Sequence, residues 1–288
     1  MENVVIVGVG LIGGSFAKGI KRLYPNVNII GIDKNPEHLK EASNLGLIES
    51  EGNTNAFLTA DIIFVTIPVD VLVEELPEIL SKVNEDCLVI DAGSTKEMLC
   101  QALENHPKRR NYLSCHPIAG TEFSGPSAAF DGLFEGKTNI ICEVEKTAFK
   151  LQERALHLFQ ELGMRIRYMN PKAHDKHIAY VSHLSHISSF MLGKTVIEEE
   201  QNERDIFDMA GSGFESTVRL AKSSPDMWAP IFQQNKENVI RSLEEYIKNL
   251  DAFKQMMEED DFKGIYNQMN NTNRIQQILK GIPLTKTP

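Results

Sequence analysis

VVIVGVGLIGGS, residues 4–15, decides the fold: a β-branched run enters a glycine-rich turn, which enters an amphipathic stretch over 11–22. A buried strand that ends in a tight turn and opens a helix has this pattern. Gly8 permits the sharp turn, Gly10 lets a pyrophosphate approach the backbone, and Gly13 allows close helix-strand packing. The free amides of the helix start at Leu11 and Ile12, with the positive end of the dipole, then face the phosphates. Asp33 stands 20 residues beyond Gly13, at the end of the next apolar run, VNIIGI (27–32). That is the spacing of an acid that bonds the adenine ribose hydroxyls, and its charge repels a 2′-phosphate, so NAD is expected over NADP.

The same alternation continues outward. DIIFVTIP (61–68), CLVIDAG (87–93), YLSCHP (112–117), TNIICEV (138–144) and RIRYM (165–169) read as strands. Helical stretches over 36–45, 69–82, 96–104 and 149–162 separate them. Strand and helix in alternation make an α/β domain with a mostly parallel sheet, and such apolar runs suit strands covered on both faces. Thr66, Pro68 and the segment DAGS (91–94) fall on the ligand-binding carboxyl edge of that sheet. After Asn170 the pattern becomes helical, and Asn170-Pro171 supplies a cap followed by a first-turn proline. The expected division is a dinucleotide-binding domain over 1–170, an all-α domain over 171–280, and a Pro- and Thr-rich tail or linker over 281–288.

Of 288 residues, 42% are hydrophobic and 24% charged, the balance of a globular protein rather than a rod or a disordered chain. The net charge of −10, with basic residues scattered, argues against a nucleic-acid partner. No signal peptide and no apolar run long enough to span a membrane is readable. Four cysteines never pair as CxxC, which fits structural thiols in a reducing cytoplasm and no metal site.

A nicotinamide accepting hydride from an alcohol requires a base for the hydroxyl proton, and histidine is the usual one. Of the eight histidines, His116 is best placed, at a strand end opening the Gly-rich loop HPIAGTEFSG. His183 and His186, spaced i to i+3, share a helix face, but a third metal ligand at a suitable spacing is missing. His174 and His177 have the same spacing and read as a polar first turn.

The segments GVGLIGGS, DAGSTK, HPIAGTEFSG, VSHLSH (181–186) and GSGFESTVRLAKSSPDMW (211–228) together resemble the prephenate dehydrogenase family, which includes arogenate and cyclohexadienyl dehydrogenases. The resemblance implies a Rossmann-type, doubly wound domain followed by a helical one, with NAD as cofactor and prephenate as substrate. It implies that His116 accepts the proton of the substrate's ring hydroxyl and that Ser94 orients the imidazole and contacts the same hydroxyl. Ser94 also reads as the cap of a helix beginning near Thr95. By resemblance Arg219 binds a substrate carboxylate, suiting the bidentate fork of a guanidinium. His186 is placed at the carboxylates, and His183, Thr121 and Glu122 in the pocket. Trp228 reads equally as a pocket residue or a helix-packing anchor. Ser216 falls where some relatives carry an acid.

The expected activity is NAD-dependent oxidative decarboxylation of prephenate to 4-hydroxyphenylpyruvate in tyrosine biosynthesis. The rivals are an arogenate dehydrogenase, a β-hydroxyacid dehydrogenase, which needs a lysine base that the segment around His183 does not offer, and a nucleotide-sensing protein without turnover. The family implies a homodimer through the helical domain. Many bacterial relatives carry a C-terminal regulatory ACT domain, so the sequence reads as a catalytic core ending in a linker.

Overall fold

The computed structural model describes residues 1–201 and 205–280; the expected tail over 281–288 lies outside them. Eight strands form one sheet: β1 (Asn3–Val7), β2 (Asn28–Ile32), β3 (Ser50–Glu51), β4 (Ile62–Val65), β5 (Leu88–Asp91), β6 (Tyr112–Pro117), β7 (Thr138–Cys142) and β8 (Arg165–Met169). Their spatial order is β3-β2-β1-β4-β5-β6-β7-β8. Every neighbouring pair is parallel except β6 with β7. The order turns around between β1 and β4, which opens a crevice at their carboxyl ends.

Side-chain alternation explains why the sheet is covered twice. Val4 and Ile6 of β1, Ile62 and Phe64 of β4, and Leu88 and Ile90 of β5 pack against Phe16 and Ile20 of the Leu11–Leu23 helix. In the same core lie Leu151, Ala155 and Leu158 of the Phe149–Glu161 helix. The intervening Val5, Val7, Ile63, Val65 and Val89 join Leu72, Leu76 and Ile79 of the Val69–Lys82 helix on the other face. Neighbours along each strand thus serve opposite cores, and a polar residue at either position would be stranded.

Two expectations need correction. RIRYM is not covered on both faces: β8 is an edge strand, and Arg165, Arg167 and Tyr168 are exposed. An edge lined with arginines resists pairing with another chain. The two-residue β3 at the opposite edge went unpredicted.

Helices Pro171–Ile178, Leu184–Glu200, Ser212–Val218 and Pro225–Gln234 belong to the same compact unit as the sheet, which runs from Met1 to Lys236. The side chain of Asn170 accepts from the amides of Lys172 and Ala173, so the predicted cap forms. A separate compact unit begins at Glu237 and contains most of the Lys236–Glu258 helix with helices Phe262–Thr272 and Ile275–Lys280. No helix among the described residues is long and apolar enough to cross a membrane.

Candidate active site

The turn after β1 is built for a ligand with phosphates. Gly8 has φ +89°, a left-handed conformation that disfavours any side chain. Gly10 caps the Leu11–Leu23 helix without a side-chain hydrogen bond, so the first-turn amides, including those of Leu11 and Ile12, lack a capping partner. A Cβ on Gly10 would meet nothing within 4 Å, whereas one on Gly13 would sit 2.0 Å from the carbonyl oxygen of Gly8. Thr66, at the end of β4, donates its hydroxyl to that same carbonyl at 2.6 Å and pins the turn. Pro68 caps the Val69–Lys82 helix on the same edge. Asp33, just beyond β2, accepts from the amide of Val9 at 3.0 Å and from that of Asn35 at 2.9 Å, so its carboxylate is fixed beside the glycine turn.

The two glycines are therefore expected to fail differently. Gly13→Ala forces a backbone clash and should cost about 2 kcal/mol or more, lowering Tm by roughly 4–8 °C. Gly10→Ala should leave Tm unchanged and weaken dinucleotide binding roughly tenfold, about 1.4 kcal/mol. Thermal melts and titration calorimetry of the two variants check this; equal effects on melting would exclude Gly10 as the open face of the cradle.

β6 runs parallel to β5, so its end carries His116 to the edge occupied by Gly8, Thr66 and the 91–94 turn. His116 is buried, and its Nδ1 lies 2.8 Å from Nε2 of His174. The Nδ1 of His174 lies in turn 2.7 Å from Oδ1 of Asp175. Three expectations are corrected at this edge. Ser94 makes no hydrogen bond to His116 among the described residues; His174 holds the imidazole instead. Nor is His174 part of a solvated first turn, since docking its helix against the sheet edge leaves it 1% exposed. Ser94 is not the helix cap either. The helix begins at Glu97, and the Asp175 carboxylate accepts from the amides of Lys96 at 2.8 Å and Glu97 at 2.9 Å.

Lys96 is fully buried and paired with Asp91 at the end of β5. Its ammonium also donates to the carbonyl of Cys115 at 2.6 Å, the residue before His116. Asp91 further accepts from the Tyr112 hydroxyl at 2.7 Å and the Cys115 amide at 3.1 Å. Burial acts to lower the Lys96 pKa and the Asp91 carboxylate more than offsets it, so Lys96 stays charged. Burial, then His174, Lys96 and His183, push His116 well below the ordinary histidine value.

On the helical side, residues Ala179–His183 form a π-turn, a local widening often found at functional sites, which leads into the helix carrying His186. Nδ1 of His186 donates to the carbonyl of Ser182 at 2.9 Å, and its ring stacks on Trp228 at 3.5 Å between centroids. Burial, with Arg219 contributing, lowers the His186 pKa. His183 is fully buried edge-on to Trp228, and burial pushes its pKa down to about 4. Trp228 packs with Val69 and Ile231, so it is an anchor as well as a neighbour of both histidines. Arg219 reaches Glu122 at 2.6 Å across 97 residues of sequence. The Thr121 hydroxyl accepts from the amide of Phe123 at 3.3 Å in the same loop.

His183, Trp228 and His186 thus form one ring cluster, and Arg219 is joined to Glu122, on the loop that starts at His116. The sequence reading missed His174, Asp175, Lys96 and Asp91. Only the acid of DAGS, beside a strand end already assigned to the ligand edge, offered a hint.

A glycine cradle for a dinucleotide, with a buried neutral imidazole on the same sheet edge, defines a nucleotide-dependent oxidoreductase. Comparison with known proteins makes this particular. The family model described as "Prephenate dehydrogenase, nucleotide-binding domain" matches residues 16–168, and "Prephenate dehydrogenase, dimerization domain" matches residues 170–271. The chain belongs to the prephenate dehydrogenase family. It is similar to prephenate dehydrogenase from Aquifex aeolicus, crystallised with hydroxyphenyl propionate and NAD+. That likeness has a TM-score of 0.86 and 35% identity, and covers 97% of this chain and 98% of the other. Prephenate dehydrogenase of Bacillus subtilis strain 168 is 28% identical, over 98% of this chain and 76% of its own length. Cyclohexadienyl dehydrogenase of Zymomonas mobilis is 26% identical, over 97% and 96%.

Proposed function

We propose that the protein uses NAD to oxidise prephenate, releasing carbon dioxide and forming 4-hydroxyphenylpyruvate on the route to tyrosine. One observation carries this reading: the buried His116 lies on the same sheet edge as the glycine turn, and the loop that starts at His116 is joined through Glu122 to Arg219 of the helical segment. The 35% identity to the Aquifex aeolicus enzyme supports the choice of substrate and cofactor.

NAD, when bound over the glycine turn with its ribose at Asp33, supplies the hydride acceptor. Arg219 grips the side-chain carboxylate and His186 meets the substrate's carboxylates, with Thr121, Glu122, His183 and Trp228 forming the pocket. The ring hydroxyl lies at His116 and Ser94, whose own hydroxyl has no protein partner among the described residues. As the carbinol C–H leaves with its electron pair, His116 takes the hydroxyl proton at Nε2, the nitrogen not engaged by His174. The bond to the ring carboxylate then gives its electrons to the ring, carbon dioxide departs, the phenolate oxygen recovers its proton from His116, and aromaticity makes the step irreversible. The protein's part is orientation and one proton transfer.

Neutral His116 is the active form, so kcat/KM should rise with pH as it deprotonates. Because burial lowers its pKa, the rise should be centred below pH 6.5, the ordinary histidine value. A pH-rate profile tests this, and a rise centred at or above that value speaks against His116 as the base.

We assign residues 1–170 to dinucleotide binding and 171–280 to substrate binding and a homodimer interface. The description of the second family model supports the dimer. So do Ile240, Ile247, Leu250 and Met257, exposed at helical spacing along the Lys236–Glu258 helix. Four free, buried thiols support a cytoplasmic location.

The deciding experiment is four initial rates, prephenate and arogenate each with NAD and NADP, followed as reduced nicotinamide. Prephenate with NAD should give the highest kcat/KM. Arogenate in first place would move the assignment to arogenate dehydrogenase, and binding without turnover would leave a nucleotide sensor.

A further inference from the structure

Nε2 of His116 can accept a proton only if the ring's own proton stays on Nδ1. Nδ1 of His116 faces Nε2 of His174 at 2.8 Å, and Nδ1 of His174 faces Asp175 at 2.7 Å. Both supporting residues are buried, and they come from the first helix after the sheet, 58 residues from His116. We propose that His174 and Asp175 are positioning residues that set the tautomer of the base.

The hydrogen-bond directions follow from the far end. Three donors converge on the Asp175 carboxyl: the amides of Lys96 and Glu97 and Nδ1 of His174. A carboxylate accepting from all three has no donor role, so the proton between it and His174 belongs to Nδ1. Neutral His174 then carries a lone pair on Nε2 and accepts from Nδ1–H of His116. The single ring proton of His116 is thereby kept on Nδ1, and Nε2 presents its lone pair. Without this chain the neutral ring would be free to protonate Nε2 and present no base.

The groups facing His116 act together. Lys96 and His183 disfavour a proton on it before substrate arrives. Once the proton has moved, the His174 lone pair and the Asp175 charge steady the imidazolium. Asn235 fixes Asp175 from behind, its side-chain amide donating to the Asp175 carbonyl at 2.7 Å. A base oriented by a second group, itself oriented by a carboxylate, is a general solution to this problem.

The inference rests on His116 as proton acceptor, so its test reads the tautomer as well as the rate. The full chain is prepared with 15N-labelled histidine and saturated with NAD, as wild type, His174→Leu and His174→Gln. The His116 signals are those missing from His116→Asn. Wild type should show the Nδ1–H form. His174→Leu should shift His116 toward Nε2–H and lower kcat roughly 100-fold or more with little change in KM. In His174→Gln the amide N–H can donate to Asp175 while its oxygen accepts from His116. It should therefore keep the Nδ1–H form and stay within roughly tenfold of wild-type kcat.

An Nε2–H signal for His116 in wild type overturns the proposal, and does so even if His174→Leu fails to fold. Wild-type kcat in a folded His174→Leu protein, or a folded His174→Gln protein as impaired as His174→Leu, also overturns it. A wild-type protein that makes no NADH from prephenate removes the functional reading instead, and the spectra still decide the tautomer.

Discussion

His116→Asn is expected to remove turnover by roughly 10²–10⁴-fold, the usual contribution of a positioned general base, while leaving NAD affinity unchanged. The asparagine amide can still donate to His174, so the buried network survives, but no basic nitrogen remains for the ring hydroxyl. The dinucleotide cradle lies after β1, on a different strand from His116 at the end of β6, which is why binding and turnover should separate. Steady-state kinetics with prephenate and calorimetry with NAD measure the two quantities. Near wild-type turnover would exclude His116 as the proton acceptor, and joint loss of both would point to a general collapse of the sheet edge.

Arg219→Leu should have the second-largest effect, on binding more than on chemistry. Removing a charged hydrogen-bonding partner from a carboxylate typically costs about 3 kcal/mol, so kcat/KM should fall by more than roughly 10²-fold, carried mainly by KM. Arg219→Lys should recover part of this, since an ammonium keeps the charge but not the fork. The pair with Glu122 is not what would be lost. The Arg219 side chain is 48% exposed, and ion pairs so open to water are worth at most about 1 kcal/mol. Glu122→Gln should accordingly cost much less than Arg219→Leu, and Tm should barely move in either. Comparable losses in both variants would show that the ion pair, rather than carboxylate binding, gives Arg219 its importance.

The parts of the protein legible in its sequence are those governed by short-range patterns. The strand-turn-helix of residues 4–15, the cap at Asn170 and the strand ending at His116 follow from residue type and spacing within a dozen positions. Their structural counterparts form where expected. The edge strands were harder. β3 has only two residues, too few for alternation, and RIRYM carries arginines because one flank of β8 has no neighbouring strand.

The supporting groups around His116 were illegible for a different reason. His174 and Asp175 open a short helix with charged neighbours, and only the docking of that helix on the sheet edge turns a polar first turn into a buried relay. Nothing in the residues around Lys96 marks it as buried, and its partner Asp91 belongs to the end of β5. The meeting of Arg219 with Glu122 joins segments 97 residues apart, and no periodicity encodes it. His183 and His186 share a face by spacing alone, but the spacing does not show that His183 closes a π-turn over Ala179–His183.

Transfer of a specific hydrogen tests most directly whether substrate and dinucleotide meet at His116. Prephenate carrying deuterium on the carbinol carbon, turned over with unlabelled NAD, should yield NADH heavier by one deuterium, with one carbon dioxide released for each. Unlabelled NADH, or carbon dioxide released without any NADH, would mean that the carbinol carbon is not the hydride donor and that the two ligands do not meet at this sheet edge.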